Sequence, residues 1–338
     1  MCKNTKKQLV YQADHETGEI LRDGNRDWQK YKAQSLAVAD SFRQCLFIDS
    51  LRYSNRMRDC AAVLKFKTCP HGHEKRLEWA SFCGGRFCPI CQRRKSLVMF
   101  HQVKTLIHCH LTKYKSDRPL LLTLTIPNVK ANDLPKAIDS MQKGFKKLTM
   151  RRQFKKSIRS YFRALEVTFN ENRDDYHPHF HVLLMVPESY FKRDRGLYIS
   201  QEEWLSMWQE SMQMPEITQV DIRRVRKKGK KKPIEAVTAE VAKYATKPSN
   251  YLKRLPTGKY SANPEVLESL YWALKSRRLT GFGGYFYHLR KELRLKDVED
   301  ADLVHIKDDS HSCTCSVCSS TLVSEMYTWN IGLSEYVG

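Results

Sequence analysis

The stretch HPHFHVLLMV, residues 177–186, sets three histidines in five positions directly before an unbroken apolar run. In a strand, side chains alternate faces, so His179 and His181 share one face while Phe180 points into the opposite layer. Two imidazoles on one face, about 7 Å apart along the strand, can converge on one cation. The apolar residues that follow suit a central strand covered on both sides, which places the pair at the mouth of a rigid element. A hard ion such as Mg²⁺ or Mn²⁺ wants an oxygen ligand as well. The strand before it, SYFRALEVTFN (160–170), offers Glu166 on the face of Ala164, Thr168 and Asn170. Asp175 and His177, in the connecting segment, are further candidates. Taken alone, the pattern equally fits a hairpin end with solvent-facing histidines and an exposed glutamate.

Working outward, LLLTLTIPN (120–128) reads as a strand ended by Pro and Asn, and DLPKAIDSMQKGFKKLTMRRQFKK (133–156) as a basic amphipathic helix. QEEWLSMWQESM (201–212) is a helix opening with acids, and ITQVDIRRVR (217–226) a strand. PIEAVTAEVAKYATK (233–247) is a helix that starts at a proline and stops before Pro248. The order β-α-β-β-α-β-α, with a hairpin at its centre, points to an α+β fold with antiparallel pairing. Upstream, Trp28 to Arg58 has helical spacing, AAVLKFKTC (61–69) reads as a short strand, and a Cys/His-rich loop precedes a basic helix from Arg93. The expected divisions are a flexible arm over 1–26, a helical region with a Cys-rich zinc segment (60–95) over 27–116, and a catalytic domain over 117–256. A helical extension follows over 257–298, containing the Gly-rich turn GFGG, and then a polar, Cys-containing tail over 299–338.

The charge narrows the class of partner. In 338 residues, 59 Lys and Arg stand against 37 Asp and Glu, a net charge of +22. Such a surplus favours polyanions through long-range attraction and counterion release, with nucleic acid as the first expectation. No stretch approaches the ~18 apolar residues of a membrane span, and the N-terminus lacks the apolar core of a secretory signal. A cytoplasmic location is therefore expected, where 11 cysteines suggest metal rather than disulfides.

Within AEVAKYATK, Glu240 and Tyr244 are four residues apart, as are Lys243 and Lys247, so each pair lies on neighbouring helical turns. A tyrosyl oxygen can be both nucleophile and leaving group once its charge is met by a lysine or a metal, which suits reversible phosphodiester transfer. LLLTLTIPN, HPHFHVLL and EVAKYATK, in that order, resemble the three motifs of the rolling-circle plasmid replication initiators of the HUH endonuclease superfamily, in which two histidines flank a hydrophobe (here His179–Phe180–His181). RRLTGFGGYFYHLRKEL resembles a further family segment, and SFCGGRFCPICQRRK the Cys-rich segment before the first motif, so the likeness spans roughly residues 60 to 295.

The resemblance implies an HUH-type antiparallel sheet flanked by helices, in an enzyme that nicks one DNA strand at a plasmid's double-strand origin. Tyr244 is then the nucleophile that keeps the 5′ end as a phosphotyrosine and frees a 3′-OH primer. Glu240 is the general base of the terminating cleavage, and Lys243 or Lys247 lowers the tyrosine pKa or grips a phosphate. His179, His181 and Glu166 are the ligands of Mg²⁺ or Mn²⁺. The expected partners are origin DNA, double- and single-stranded, together with a host helicase and DNA polymerase, since no GxxxxGK[ST] motif is present. A mobilisation relaxase or a single-strand transposase would share the core. A non-catalytic zinc-containing nucleic-acid-binding protein would use the same residues structurally.

Cys83-x4-Cys88-Pro-x-Cys91 has knuckle spacing for structural Zn²⁺, with Cys69 to complete a tetrahedral set and His71, His73 or Cys60 as rivals. The tail group His311, Cys313, Cys315 and Cys318 reads equally as a second metal site or as a polar tail. KKLTMRRQFKK and RRVRKKGKKK, together with the loop beyond Cys91, supply the expected phosphate contacts: Arg93, Arg94, Lys95, Arg151, Arg152, Lys227, Lys228 and Lys230. Tyr161, Tyr190, Tyr251 and Tyr260 could stack on unpaired bases or fill the core.

Overall fold

A computed structural model describes residues 22, 23, 26–225, 234, 238, 248–306 and 313–338. The chain divides into two compact units: Met1–Lys95 with Leu252–Pro264 and Glu299–Gly338, and Ser96–Tyr251 with Glu265–Val298.

The second unit is built on a five-stranded antiparallel sheet in the order Thr280–Gly284, Ser160–Asn170, Asp175–Val186, Arg118–Thr125, Val220–Arg224. The fold is thus α+β with antiparallel pairing, as the element order implied. The middle strand is the one that carries the histidines. Val182 to Val186 are fully buried there, because both faces are covered and neither needs polar side chains. Its partner strands are long and in continuous register, so residues directly opposite one another share a face.

The helix Leu134–Met150 buries Leu134, Ile138, Met141, Phe145 and Leu148, a stripe at helical spacing. Phe145 packs edge-on against Phe180 and Tyr161, so this helix covers the face opposite Glu166. The helix Gln201–Met212 begins with a reciprocal capping box between Ser200 and Glu203 and buries Trp204 and Trp208. Trp208 donates its indole N–H to the Thr125 carbonyl at 2.7 Å, tying helix to sheet.

On the Glu166 face, the far end of the same strand is locked by a buried network. His110 bonds Asp117 at 2.8 Å and Ser160 at 3.0 Å, and Asp117 also takes the Arg159 guanidinium at 2.9 Å. All of this is closed off from solvent except Arg159, so it fixes the strand rather than offering a nucleophile.

The GFGG segment differs from the expected turn. It forms the edge strand Thr280–Gly284, paired with Ser160–Asn170. Gly283 lies opposite Tyr161, whose ring occupies the space a Cβ would take, and Gly284 has φ +60° beside the Arg159 carbonyl. Glycine here makes a close crossing rather than a bend.

In the first unit, the helical run expected from Trp28 to Arg58 is two helices, Trp28–Phe42 and Ser50–Arg58. Leu46 and Ile48 between them are almost fully exposed, so the apolar letters there mark no buried stripe. The polar, Cys-containing tail supplies two strands, Val323–Asn330 and Glu335–Val337. The sheet runs Glu335–Val337, Val323–Asn330, Val63–Thr68, Lys75–Ala80, all antiparallel. Buried Lys75 joins it across strands, bonding Glu325 at 2.7 Å and Tyr327 at 2.9 Å.

Candidate active site and metal centres

Glu166 and His179 are directly opposite each other on neighbouring strands, and Ala164 is opposite His181. The small alanine leaves room for the glutamate to lean towards both rings. One carboxylate oxygen lies 3.1 Å from His181 Nε2 and 3.8 Å from His179 Nε2. The two imidazoles stand nearly perpendicular with centroids 4.8 Å apart. All three donor atoms fall within 4.8 Å of one another.

His179 Nδ1 is 3.1 Å from the His177 carbonyl. That bond fixes the proton on Nδ1 and leaves Nε2 as a lone-pair donor facing Glu166, the arrangement a metal-binding histidine needs. Burial pushes the His179 pKa down to about 4, against partial compensation from Glu166. The ring is therefore neutral and ligand-ready at physiological pH. Glu166 is 2% exposed, so its charge sits where a divalent ion would be worth most. Two imidazoles and one carboxylate with open positions form a donor set suited to a catalytic divalent ion.

The other sequence candidates part from this group. His177 stacks on His179 at 5.1 Å but contributes no donor atom to the cluster. Asp175 is held by Arg173 at 2.9 Å and by Asn128 at 2.8 Å, and the Arg173 guanidinium keeps its carboxyl below the usual range. The strand register also brings Thr123, Thr125 and Asp221 onto the triad's face, which single-strand alternation did not reveal. Tyr244, Glu240, Lys243 and Lys247 lie outside the described residues, as do Lys227, Lys228, Lys230 and His311. Of their segment, Ile234 and Thr238 are helical, and Thr238 is fully buried. Beyond it, Asn250 donates to the Val167 carbonyl at 2.7 Å, next to Glu166.

The sequence profile of the family described as "Replication protein" matches residues 74–337. This chain belongs to that family. A curated "Protein rep" from Streptococcus pneumoniae serotype 2 (strain D39 / NCTC 7466) is 35% identical over 297 residues, covering 86% of this chain and 89% of the relative. A "Protein rep" from Lactiplantibacillus plantarum is 30% identical over 330 residues, covering 97% and 98%. A third, from Staphylococcus aureus, is 37% identical over 196 residues, covering 58% and 82%. No solved structure matches the chain. The resemblance to plasmid replication initiators thus stands on most of its length.

The four-cysteine group of this family member differs from the sequence expectation in one ligand. Cys83, Cys88 and Cys91 gather around Cys60, not Cys69. Sγ–Sγ separations are 3.5 Å for Cys60–Cys91 and Cys60–Cys88, and 3.6 Å for Cys83–Cys91. Four sulfurs about 2.3 Å from one tetrahedral ion lie about 3.8 Å apart, so these four cysteines could hold a metal ion of that size. Burial alone would push the Cys88 thiol up, but hydrogen bonds from Cys60, Cys83, Cys91 and Ser35 carry it well below the usual range. Lys32, fully buried, donates to the Arg58 and Cys60 carbonyls at 2.6 and 2.7 Å, and burial lowers its pKa.

Cys69 directly follows the strand Val63–Thr68, beside His73, Cys315 and Cys318. Cys313 is exposed and stays out of that group.

Two of the expected DNA contacts are corrected. Arg94 is 4% exposed and donates to the carbonyls of Leu303 and Val304 at 2.6 and 2.8 Å. Lys95 is fully buried, bonding the Gly84 carbonyl at 2.9 Å and pairing with Glu299. Both charges hold the fold because they point inward from the same helix that presents Arg93. Arg93 is exposed, lying over the Tyr31 ring, and Arg152 is also exposed. Arg151 is half-buried and bound to Glu210 at 2.8 Å. Tyr190 and Tyr251 are core residues. Among the described residues, no helix is long and apolar enough to cross a membrane.

Proposed function

We propose that this replication protein is an HUH-type strand-nicking enzyme that opens one strand of a plasmid origin in the bacterial cytoplasm. The observation that carries the reading is the convergence of Glu166, His179 and His181 on one face of two adjacent strands, in a family of replication proteins. Glu166, His179 and His181 would hold a divalent ion, Mg²⁺ or Mn²⁺, which would supply charge neutralisation at a scissile phosphate. Tyr244 Oη attacks phosphorus, the phosphorus–O3′ bond breaks, and the 3′ oxygen leaves with a proton as a free 3′-OH. The 5′ phosphate stays on the tyrosine as a diester, which conserves the bond for later joining. Glu240, four residues earlier, takes the proton from the water of the terminating cleavage.

Chain connectivity supports the nucleophile. Tyr244 is six residues before Asn250, and Asn250 is anchored to the carbonyl next to Glu166. Six residues reach at most about 20 Å even when fully extended. Lys243 and Lys247 stabilise the phenolate or hold a neighbouring phosphate. Exposed Arg93 and Arg152, with Lys227, Lys228 and Lys230, contact backbone phosphates, and a host helicase and polymerase extend the 3′ end.

The test is conversion of supercoiled origin plasmid to open circles with added Mn²⁺, followed by mass spectrometry of the protein–oligonucleotide adduct. Wild-type protein nicks and carries the 5′ adduct on Tyr244. Tyr244→Phe binds origin DNA without nicking. An adduct on another residue, or one formed by Tyr244→Phe, overturns the assignment.

A further inference from the structure

Cys69, His73, Cys315 and Cys318 bring four soft or borderline donor atoms together from opposite ends of the sequence. They share no residue with the Glu166–His179–His181 triad or with the four-cysteine group. Cys69 Sγ lies 3.6 Å from His73 Nδ1 and 3.5 Å from Cys318 Sγ, and Cys315 Sγ lies 3.9 Å from His73 Nδ1. Around one tetrahedral Zn²⁺, sulfur–sulfur separations are about 3.8 Å and sulfur–nitrogen separations about 3.6 Å. A disulfide would need its sulfurs at about 2.0 Å and would leave the histidine without a role.

Two tight turns present these donors. In the first, Gly72 donates to the Cys69 carbonyl at 2.8 Å, and Cys69 N–H bonds the Glu74 carbonyl at 2.9 Å. In the second, Val317 N–H points at Cys315 Sγ at 3.4 Å, and Ser319 N–H bonds the Cys315 carbonyl at 2.9 Å. The same N–H to sulfur contact, two residues on, recurs from Gly85 to Cys83 in the four-cysteine group. Side chains bridge the two turns as well: Ser316 donates to Glu74 at 2.8 Å, and Arg76 donates to the Thr314 carbonyl at 3.3 Å.

What the corner lacks is an apolar core. Its buried cluster is Cys69, Cys315 and Leu322, with Cys318 packed against it. Three cysteines and one leucine bury too little surface to order two turns, and small structures of this kind rely on a staple.

We propose that Cys69, His73, Cys315 and Cys318 form a second structural Zn²⁺ site, which clamps the Cys315–Cys318 turn onto the hairpin between Val63–Thr68 and Lys75–Ala80. The three sulfurs bind as thiolates, and His73 binds through Nδ1. The clamp sits directly before the strand Val323–Asn330, whose first pair, Val323 with Thr68, adjoins Cys69. His73 is exposed while its three partners are less so, which makes this site open to a chelator from one side. The four-cysteine group, with Cys60, Cys88 and Cys91 buried, is the slower of the two to empty. The clamp holds whether or not the protein nicks DNA.

The experiment uses full-length protein purified without added chelator. Elemental analysis gives two zinc ions per wild-type chain, one per chain for Cys315→Ser/Cys318→Ser, and two for the control Cys313→Ser. Alkylation mapping on the wild type needs no variant to fold. In the zinc-loaded protein Cys69, Cys315 and Cys318 resist N-ethylmaleimide while Cys313 reacts. After mild chelation these three react first, with Cys60, Cys83, Cys88 and Cys91 still protected. One zinc per wild-type chain, two zincs in the double variant, equal reactivity of Cys313 and Cys315 in loaded protein, or a Cys69–Cys318 disulfide would each overturn the site.

Discussion

His179 allows a prediction in which the Glu166–His179–His181 site is read through stability alone. Its pKa is held at about 4 by burial, against an ordinary value of 6.5. Between those values an unfolded chain takes up a proton that the folded chain refuses, so stability falls as pH drops from 6.5 and the loss is complete by pH 4. Every tenfold difference in proton affinity between the two states is worth about 1.4 kcal/mol, so the loss is about 2 kcal/mol at pH 5 and about 3 kcal/mol once the folded-state pKa is passed. His179→Gln removes this titration and keeps a polar group of similar size. Urea unfolding of both proteins, followed by circular dichroism without added divalent metal, should show the wild type losing about 2 kcal/mol more than the variant between neutral pH and pH 5. Added Mn²⁺ should steepen the wild-type loss, because protonation then competes with the ion, and leave the variant nearly unchanged. Parallel pH profiles for the two proteins would show that His179 is not the buried, neutral ring described here.

Other outcomes follow from the same geometry. Glu166→Ala should abolish Mn²⁺-dependent nicking while preserving the mobility shift of origin DNA; nicking at wild-type rate would remove Glu166 from the site. Asp117→Asn should cost about 3 kcal/mol in urea unfolding, since it strips a buried charge from both His110 and Arg159, and should leave zinc content unaltered. Gly283→Ala should destabilise by about 1–3 kcal/mol through overlap with the Tyr161 ring, and Gly283→Ala/Tyr161→Ala should lose less than the two single changes added together. Cys60→Ser should release zinc that Cys313→Ser retains, measured by a colorimetric zinc assay.

The central sheet was readable because its strands carry strong local patterns. VLLMV is apolar on both faces, LLLTLT is apolar on one face with threonines on the other, and the alternation of His179 and His181 needed no tertiary information. Glu166 was found by parity within one strand, and its partnership with His179 follows from a register the turn at 171–174 permits. What depends on distant pairing was not readable. VSEMYTWN has only one side chain in two half-buried, so its polar letters look like a tail until Val63–Thr68 is there to pair with it. Spacing alone does not decide the fourth ligand, since it leaves Cys69 and Cys60 as rivals. In the fold, Cys60 lies closer to the knuckle, and Cys69 faces the turn from the other end of the chain. Arg94 and Lys95 were misread because charge in a basic run says nothing of direction. Only the carbonyls of Leu303, Val304 and Gly84 show that these two point inward.

The pairing of Val323–Asn330 with Val63–Thr68 has a consequence for biosynthesis. A ribosome has made the whole histidine-bearing sheet, through Gly284, before it reaches the strand that completes the other one. The emerging polypeptide therefore carries a bare backbone edge at Val63–Thr68 for more than half of its elongation, open to mispairing with any extended segment nearby. Premature stop products ending after the Gly-rich strand would keep that edge for good, and should be recovered with chaperones or in inclusion bodies.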